Sequence, residues 1–208
     1  MSAARFRPGI AGAAVALAFV LWFFSFSMEI LNFWIKITLS ASILGGIAVW
    51  AGALRANTLP FDTRGVLLGL AGAVLLYLVF LTGNFVSEYL FPFASRQVGS
   101  IYGKGQGFST TAIFFLLLFV TGPCEEIFWR GYLQNGLMER FGQWKGWLLA
   151  TAVYTGIHVC SLNFMLVGAA AVGGAFWGLM YLRYRRLDAL IVCHSVWSAC
   201  IFAVVPIR

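Results

Sequence analysis

Residues 105–130 read GQGFSTTAIFFLLLFVTGPCEEIFWR, so twenty uncharged residues lead directly into two adjacent glutamates. About 20 mostly apolar residues suffice for one α-helix to cross the hydrocarbon core of a bilayer. The stretch therefore predicts a membrane-spanning helix that carries Glu125, Glu126 and Arg130. A charged side chain inside a bilayer costs several kcal/mol, so charges kept there indicate a functional site.

The composition of the whole chain supports a membrane protein. Of its 208 residues, 61% are hydrophobic and 10% are charged, whereas a soluble domain averages about 25% charged residues. No polar segment is long enough for a soluble domain, so a single membrane domain is expected over residues 1–208. The predicted fold class is all-α, a polytopic transmembrane helix bundle of about seven spans. The uncharged runs place these spans near residues 10–28, 33–54, 65–83, 109–130, 146–160, 164–182 and 188–206.

One uncharged run, from Gly146 to Leu182, has 37 residues and is too long for a single crossing. The tripeptide Ser161-Leu162-Asn163 is expected to form the tight turn that divides this run into two spans. The first span is predicted to be a retained anchor. Its apolar run is longer than the roughly 7–15 residues of a signal peptide's hydrophobic region.

Alternate loops hold most of the cations, and this asymmetry gives the predicted orientation. Lysine and arginine accumulate in cytoplasmic loops, so the N-terminus is predicted to be cytoplasmic and the C-terminus external. The net charge of +7 belongs to these loops and does not indicate nucleic acid binding. The cytoplasmic side would hold nine cations, Arg5, Arg7, Arg55, Arg64, Arg140, Lys145, Arg183, Arg185 and Arg186, and the other side four, Lys36, Arg96, Lys104 and Arg208.

The two glutamates are expected to have different tasks. Glu126 and Arg130 lie four residues apart, share a helix face and can form an ion pair. Glu125 is rotated by about 100° from Glu126, so it is left free to take a proton from water. The spacing therefore predicts a structural glutamate, Glu126, beside a free base, Glu125.

The only two histidines of the chain also fall inside predicted spans. Tyr154 and His158 lie four residues apart on the fifth span, and His194 and Ser198 do so on the seventh. A carboxylate, two imidazoles and a hydroxyl group can therefore converge from three helices. Counted from the predicted span ends, Glu125 and His194 lie about 6–9 Å from the cytoplasmic edge. The site is therefore expected to open toward the cytoplasm.

The four cysteines, Cys124, Cys160, Cys193 and Cys200, show no C-x-x-C spacing. Neither a disulfide scaffold nor a zinc ribbon is indicated, and small buried apolar side chains are the expected role. Three of the four lie within two residues of a candidate site residue. Neighbouring positions on a helix point about 100° apart, so these thiols are expected to flank the site and not to line its centre.

Three motifs follow one another along the chain: Glu-Glu-x-x-x-Arg, aromatic-x-x-x-His and His-x-x-x-polar. At residues 125–133, 154–158 and 194–198 they resemble the CAAX protease and bacteriocin-processing family (CPBP, or Abi), which includes the Ras-converting CAAX endopeptidases. The resemblance covers residues 109–206, the expected catalytic core. Tyr154 stands where the family usually has phenylalanine, and Ser198 where it has asparagine or aspartate. A serine reaches less far than an amide, so the role of Ser198 departs most from the pattern.

The resemblance implies an intramembrane endopeptidase that hydrolyses a peptide bond in a membrane-associated protein or peptide. Glu125 would activate the water molecule, with assistance from His158. His194 and Ser198 would stabilise the oxyanion of the tetrahedral intermediate. The ion pair of the first motif would hold its helix face in place.

The same residue types would also suit zinc, with Glu125, His158 and His194 as the ligands. A mechanism without a metal is favoured, because the chain has no His-Glu-x-x-His pair and its two histidines lie on different helices. No cofactor is therefore expected.

Two other classes of function stay open. Some members of the family are associated with bacteriocin immunity, so a binding protein without turnover is one alternative. A small proton-coupled transporter is a weaker one, because the chain shows no inverted repeat. The expected partners are a peptide or protein substrate and the lipid bilayer, and not nucleic acid. A short chain resembles the bacterial members, so the expected location is a bacterial cell membrane. The sequence leaves open the substrate, its prenylation and the oligomeric state.

Overall fold

The structure is a computed structural model that describes residues 6–57 and 59–207. Arg5 and Arg208, which entered the charge count, lie outside the described residues. The described residues form helices and no β-strand, and the predicted all-α fold class is confirmed. In chain order the helices are α1 Pro8–Ser27, α2 Phe33–Trp50, α3 Ala53–Ala56, α4 Thr63–Leu90, α5 Ala94–Gly103, α6 Thr110–Phe141, α7 Gln143–Ile157, α8 Phe164–Tyr184 and α9 Leu187–Val204.

Six of the described helices, α1, α2, α4, α6, α8 and α9, are long and apolar enough to cross a membrane. The helix at the fifth predicted position, α7, is shorter and has 15 residues. It continues, however, into a 3₁₀-helical turn, His158–Ser161. With a rise of about 1.5 Å per α-helical residue and about 2.0 Å per 3₁₀ residue, the two together extend about 30 Å, the thickness of a hydrocarbon core.

The turn predicted at residues 161–163 separates α7 from α8. Leu162 has a φ of +50°, a left-handed conformation that is uncommon for residues other than glycine. The side chain of Asn163 caps α8 by accepting a hydrogen bond from the Leu166 amide at 2.9 Å. The same side chain donates to the Gln97 carbonyl of α5 at 2.9 Å. The turn is therefore held by α5, which lies across this end of the bundle.

Contacts between the connections define the two ends of the bundle. Arg186, between α8 and α9, forms an ion pair at 2.7 Å with Asp62, the residue that caps α4. At the opposite end, the amide of Ile207 donates to the Tyr102 hydroxyl of α5 at 3.1 Å. The cytoplasmic location of the first end stays a prediction of the positive-inside rule. We call it the arginine-rich end, because it carries Arg7, Arg55, Arg64, Arg140, Arg183, Arg185 and Arg186.

Small residues let α4 pack closely against α9. A Cβ atom added to Gly69 would lie 2.6 Å from both the Ala189 carbonyl oxygen and the Val192 Cβ. A Cβ atom added to Gly65 would collide with Asp188. The Gly65-x-x-x-Gly69 spacing thus fits close helix packing, and it fixes the position of α9, which carries His194 and Ser198.

Glycines of α8 likewise allow α8 to pack closely against α6 and α7. Arg130 Nη2 of α6 donates to the Gly174 carbonyl at 3.3 Å, and Gln134 Nε2 donates to the Gly178 carbonyl at 2.8 Å. A Cβ atom at Gly174 would lie 2.8 Å from the Tyr154 ring of α7. The side chains of α6 therefore reach the backbone of α8 where α8 lacks side chains of its own.

Candidate active site

The first motif lies where the helical hydrogen-bond pattern of α6 is irregular. Two π-helical segments, Leu117–Thr121 and Ile127–Gln134, flank the five residues Gly122–Glu126. Pro123 has no amide hydrogen to donate and so interrupts the regular pattern. Single π-helical turns inside α-helices are frequent at functional sites. The local sequence thus sets the rotation of Glu125 and Glu126 about the axis of α6.

Glu126 is completely buried, and one of its oxygens has two partners. Oε1 accepts hydrogen bonds from Arg130 Nη1 at 2.7 Å and from His194 Nδ1 at 2.6 Å. The second oxygen, Oε2, has no hydrogen-bond partner among the described residues. Arg130 also lies over the ring of Tyr154, 4.8 Å from its centroid. The pair predicted from the sequence is therefore present, but its carboxylate also binds a histidine of the third motif.

Glu125 faces a different environment from its neighbour. It is buried, and it makes no ion pair among the described residues. Its Oε2 accepts a hydrogen bond from the Tyr154 hydroxyl at 3.3 Å. The aromatic residue of the second motif thus contacts the carboxylate directly, and a phenylalanine, the usual residue there, could not make this hydrogen bond.

Both ring nitrogens of His158 have partners. Nδ1 lies 2.7 Å from the Tyr154 carbonyl, and Nε2 lies 3.3 Å from the indole Nε1 of Trp22. The carbonyl can only accept and the indole can only donate, so the network assigns the neutral tautomer with its proton on Nδ1. Trp22 belongs to α1, and the sequence analysis did not identify it as part of the site.

His194 is held by its ring face as well as by its edge. The ring stacks on Trp177 of α8, with centroids 3.8 Å apart and planes inclined by 17°. With Nδ1 bound to Glu126, Nε2 is the nitrogen left for a substrate. Ser198, one turn further along α9, is buried, and its hydroxyl makes no side-chain hydrogen bond among the described residues. Nε2 of His194 and the hydroxyl of Ser198 are therefore free to contact a substrate.

The four residues predicted to be catalytic line one cavity of about 440 Å³. They come from three helices: Glu125 from α6, His158 at the end of α7, and His194 and Ser198 from α9. Glu126, by contrast, lies behind the cavity wall. Apolar side chains from α1, α2, α4 and α8 form most of the remaining wall, so the cavity suits an apolar segment of a substrate.

The cavity extends from Glu125 toward the end opposite the arginine-rich end. Its wall there includes Phe26 at the end of α1, Phe33 at the start of α2 and Phe164 at the start of α8. The N-terminus of α1 lies at the other end. A cytoplasmic N-terminus and a site that opens toward the cytoplasm therefore cannot both hold, which corrects the pair of predictions made from the sequence.

The reason for this correction is the true length of the motif helix. The predicted span ended at Arg130, whereas α6 continues to Phe141. Glu125 is fifteen residues after Thr110 and sixteen before Phe141, so it lies at mid-helix and not near one edge. From the middle of the bundle a cavity can widen toward either end, and the positions of the aromatic residues decide which.

The residues named for zinc do not form a metal-binding group in this arrangement. Among the described residues, no three histidine, cysteine, aspartate or glutamate side chains are grouped to hold a metal ion. Both nitrogens of His158 are engaged by Tyr154 and Trp22. Glu125 and His194 alone fall short of the three protein ligands of a catalytic zinc site.

The cysteines lie beside the site, as the sequence analysis expected. All four are free, and none lines the cavity. Cys193 is completely buried next to His194. Cys124 packs against α2, because a Cβ atom added to Gly45 of α2 would lie 2.9 Å from the Cβ atom of Cys124. The thiols thus fill space between helices.

Comparison with protein families gives one match. Residues 107–200 match the family described as type II CAAX prenyl endopeptidase Rce1-like. Comparisons with curated proteins and with solved structures give no significant match. The matched range contains all three motifs and every residue predicted to act at the site. Together with the all-helical membrane fold, the match confirms the resemblance of this part of the chain to the CPBP family of membrane endopeptidases.

Proposed function

We propose that this protein is an intramembrane endopeptidase in which Glu125 activates the attacking water. The observation that carries the proposal is the shared cavity: Glu125, His158, His194 and Ser198 line it together. A carboxylate without a counter-ion is a suitable base when it borders a space that can hold water and substrate. Glu126 lies outside that space, so it is assigned a supporting role.

In the first step, Glu125 takes a proton from water, and the hydroxide attacks the carbonyl carbon of the scissile peptide bond. Tyr154 orients the carboxylate through its 3.3 Å hydrogen bond. Collapse of the intermediate returns the proton from Glu125 to the leaving amine. His158 can assist the water only when its Nε2 exchanges the indole of Trp22 for that water, and hydrogen bonds of free enzymes often rearrange on substrate binding.

The developing oxyanion needs donors, and α9 supplies two of them. The Nδ1–H group of His194 donates a hydrogen bond to Glu126. For Nε2 to donate to the oxyanion as well, the ring must be an imidazolium, and the Glu126 carboxylate would offset its charge. The hydroxyl of Ser198 is the second donor. Loss of one donor of this kind costs about 2.7–4 kcal/mol of transition-state stabilisation.

The substrate that fits this cavity is an apolar or lipid-modified segment of a membrane-associated protein or peptide. The matched family is named for CAAX prenyl endopeptidases, and the aromatic wall supports a substrate of comparable apolar character. The cation asymmetry favours a cytoplasmic arginine-rich end, so we place the cavity mouth on the external side of what we propose is a bacterial cell membrane.

A binding or immunity role without turnover is the second candidate. The hydrogen bond from Trp22 to His158 favours it, because that bond occupies the nitrogen that would otherwise receive a proton. Ser198 also favours the binding role, because its side chain is shorter than an amide side chain and its hydroxyl reaches less far toward an oxyanion.

One experiment separates the two candidates. Purified protein in liposomes is incubated with a library of membrane-anchored peptides, and cleavage is followed by mass spectrometry with and without a zinc chelator. We expect site-specific cleavage that the chelator does not reduce and that the Glu125→Gln variant loses. Cleavage abolished by the chelator and restored by zinc would contradict the metal-free mechanism. The absence of cleavage by wild type, with tight peptide binding, would favour the binding role.

A further inference from the structure

A second cavity, of about 320 Å³, lies at the arginine-rich end and shares no residue with the active site. Its wall combines the start of α1, the end of α2 with the connection and the short helix α3 that follow it, and the second half of α6. The residues that matter for its chemistry are Arg7, Ile10, Trp50, Arg55 and Tyr132. The family match does not reach the first four of these, because it begins at residue 107.

Three hydrogen-bond donors in this wall have no partner in the described part of the chain. Arg7 and Arg55 are exposed, and neither guanidinium forms an ion pair there. Tyr132 is only 6% exposed, and its buried hydroxyl has no hydrogen-bond partner among the described residues. A buried polar atom left unpaired destabilises the folded chain, so a ligand that accepts the hydrogen bond of this hydroxyl would stabilise the protein.

The remaining wall is apolar and includes an exposed tryptophan. Trp50, the last residue of α2, is 73% exposed, and tryptophan is enriched where the bilayer meets water. Ile10 lies in the first turn of α1, next to Arg7. The cavity therefore joins two cations and a hydroxyl donor to an exposed apolar surface of the kind that favours the bilayer interface.

We propose that this cavity binds the phosphate group of an anionic phospholipid. Guanidinium groups bind phosphate oxygens through two parallel hydrogen bonds, and the Tyr132 hydroxyl would donate a further one. The exposed indole of Trp50 and the apolar wall favour a lipid over a free phosphate ion. Basic pockets between membrane helices on the cytoplasmic side are a known kind of headgroup site.

A lipid bound there would connect parts of the chain that carry the active site. Arg7 immediately precedes α1, which places Trp22 against His158, and Tyr132 lies seven residues after Glu125 on α6. The phosphate would hold α1 on α6 at the end of the bundle away from the active-site cavity. This proposal does not depend on the peptidase reaction, because it is tested by binding alone.

The test uses the full chain purified in detergent, with native mass spectrometry and thermal melting as readouts. Phosphatidylglycerol is compared with phosphatidylcholine of the same acyl chains and with inorganic phosphate. For wild type we expect retained phosphatidylglycerol and a higher melting temperature, with neither effect from phosphatidylcholine. Inorganic phosphate that produces the whole effect by itself would overturn the lipid assignment.

Variants locate the binding. Arg7→Gln combined with Arg55→Gln should abolish the effect of phosphatidylglycerol, and Tyr132→Phe, which removes only the hydroxyl, should weaken binding at least threefold. The matched control, Arg64→Gln with Arg183→Gln, removes the same charge at the same end and should bind as wild type. Equal loss in the control would show bulk attraction and overturn the proposal, as would full binding by the first double variant. If that double variant does not fold, the single Arg55→Gln change, at an exposed side chain, takes its place under the same criteria.

Discussion

Nδ1 of His194 lies 2.6 Å from Oε1 of Glu126, the same carboxylate oxygen that pairs with Arg130. Glu126 of the first motif therefore connects α6 to His194 of the third motif on α9. It fixes which nitrogen of His194 faces the cavity, and Trp177 fixes the plane of the ring. Glu126 thus acts on the site through His194, in addition to neutralising Arg130.

Removal of the charge of Glu126 should damage folding and activity together. Glu126→Gln leaves Arg130 as a buried charge without its partner, and breaking a buried ion pair in this way costs about 3–5 kcal/mol. We expect a lower melting temperature and a lower folded yield, measured by size-exclusion chromatography. Glu139→Gln, on the exposed end of the same helix, is the matched control and should fold as wild type. Wild-type stability of Glu126→Gln would contradict the role of this pair.

Substitution of the neighbouring glutamate, Glu125, should reduce activity without reducing stability. Glu125→Gln removes a base and little volume, so we expect the cleavage rate to fall by about 10²-fold or more. The melting temperature should stay near that of wild type, because Glu125 has no ion-pair partner among the described residues. Normal turnover by this variant would show that another group activates the water.

Ser198 and Ser195 form a matched pair on α9. Ser198 lines the cavity, whereas Ser195 is buried outside it with an unpartnered hydroxyl. If Ser198 donates to the oxyanion, Ser198→Ala should reduce kcat about tenfold or more with little change in KM. Ser195→Ala should leave both constants unchanged. Ser198→Asn, the residue typical of the family, should retain or raise activity, and a fully active Ser198→Ala would leave His194 as the sole donor.

Acid should weaken the contact between α4 and α9 outside the membrane. Hydrogen bonds from Arg186 and from the Gly65 amide lower the pKa of Asp62. A lowered pKa in the folded state contributes stability above the unfolded value of about 3.9, and that stability is lost as the pH falls through the folded pKa. Asp62→Asn should therefore lower the melting temperature near neutral pH and flatten its decline below about pH 4. Glu88→Gln at the other end is the control, and a decline as steep in Asp62→Asn as in wild type would contradict the assignment.

The orientation of the chain can be tested at both ends of the bundle. Reporter fusions in the Arg183–Arg186 segment should lie in the cytoplasm, and fusions at the C-terminus and next to Lys104 should lie outside, because the arginines are concentrated at one end. Fusions that all report the same side would refute the seven-span model. A cytoplasmic signal next to Lys104 would reverse the side to which the active-site cavity opens.

The sequence predicted the helices better than the contacts among the candidate site residues. Uncharged runs locate the spans because a bilayer leaves few alternatives to an apolar helix. The i,i+4 spacing was enough to predict the pair of Glu126 and Arg130. The bond between His194 and Glu126, 68 residues apart in sequence, depends on how α6 and α9 are rotated, and the π-helical turns of α6 change that rotation. Spacing along one helix contains no information about this angle.

Trp22 could not be identified for a related reason. It lies 136 residues from His158 in the sequence, and a tryptophan in an apolar helix has many ordinary packing roles. Its polar indole N–H is a weak signal: such a group usually finds an acceptor when the ring is buried, yet four other buried tryptophans, Trp34, Trp129, Trp177 and Trp197, leave theirs unpaired among the described residues. The indole therefore does not identify its partner from the sequence.

The hydrogen bond from Trp22 also means that the part of the chain matched by the family model does not complete the candidate site by itself. Residues 107–200 contain the three motifs found in the sequence, yet the nitrogen of His158 that faces α1 takes its donor from a helix outside that range. A fragment with residues 107–208 alone would leave this imidazole free to change its tautomer and to turn about its side-chain bonds. The N-terminal helices of this chain therefore serve the candidate site by presenting one N–H group at this position.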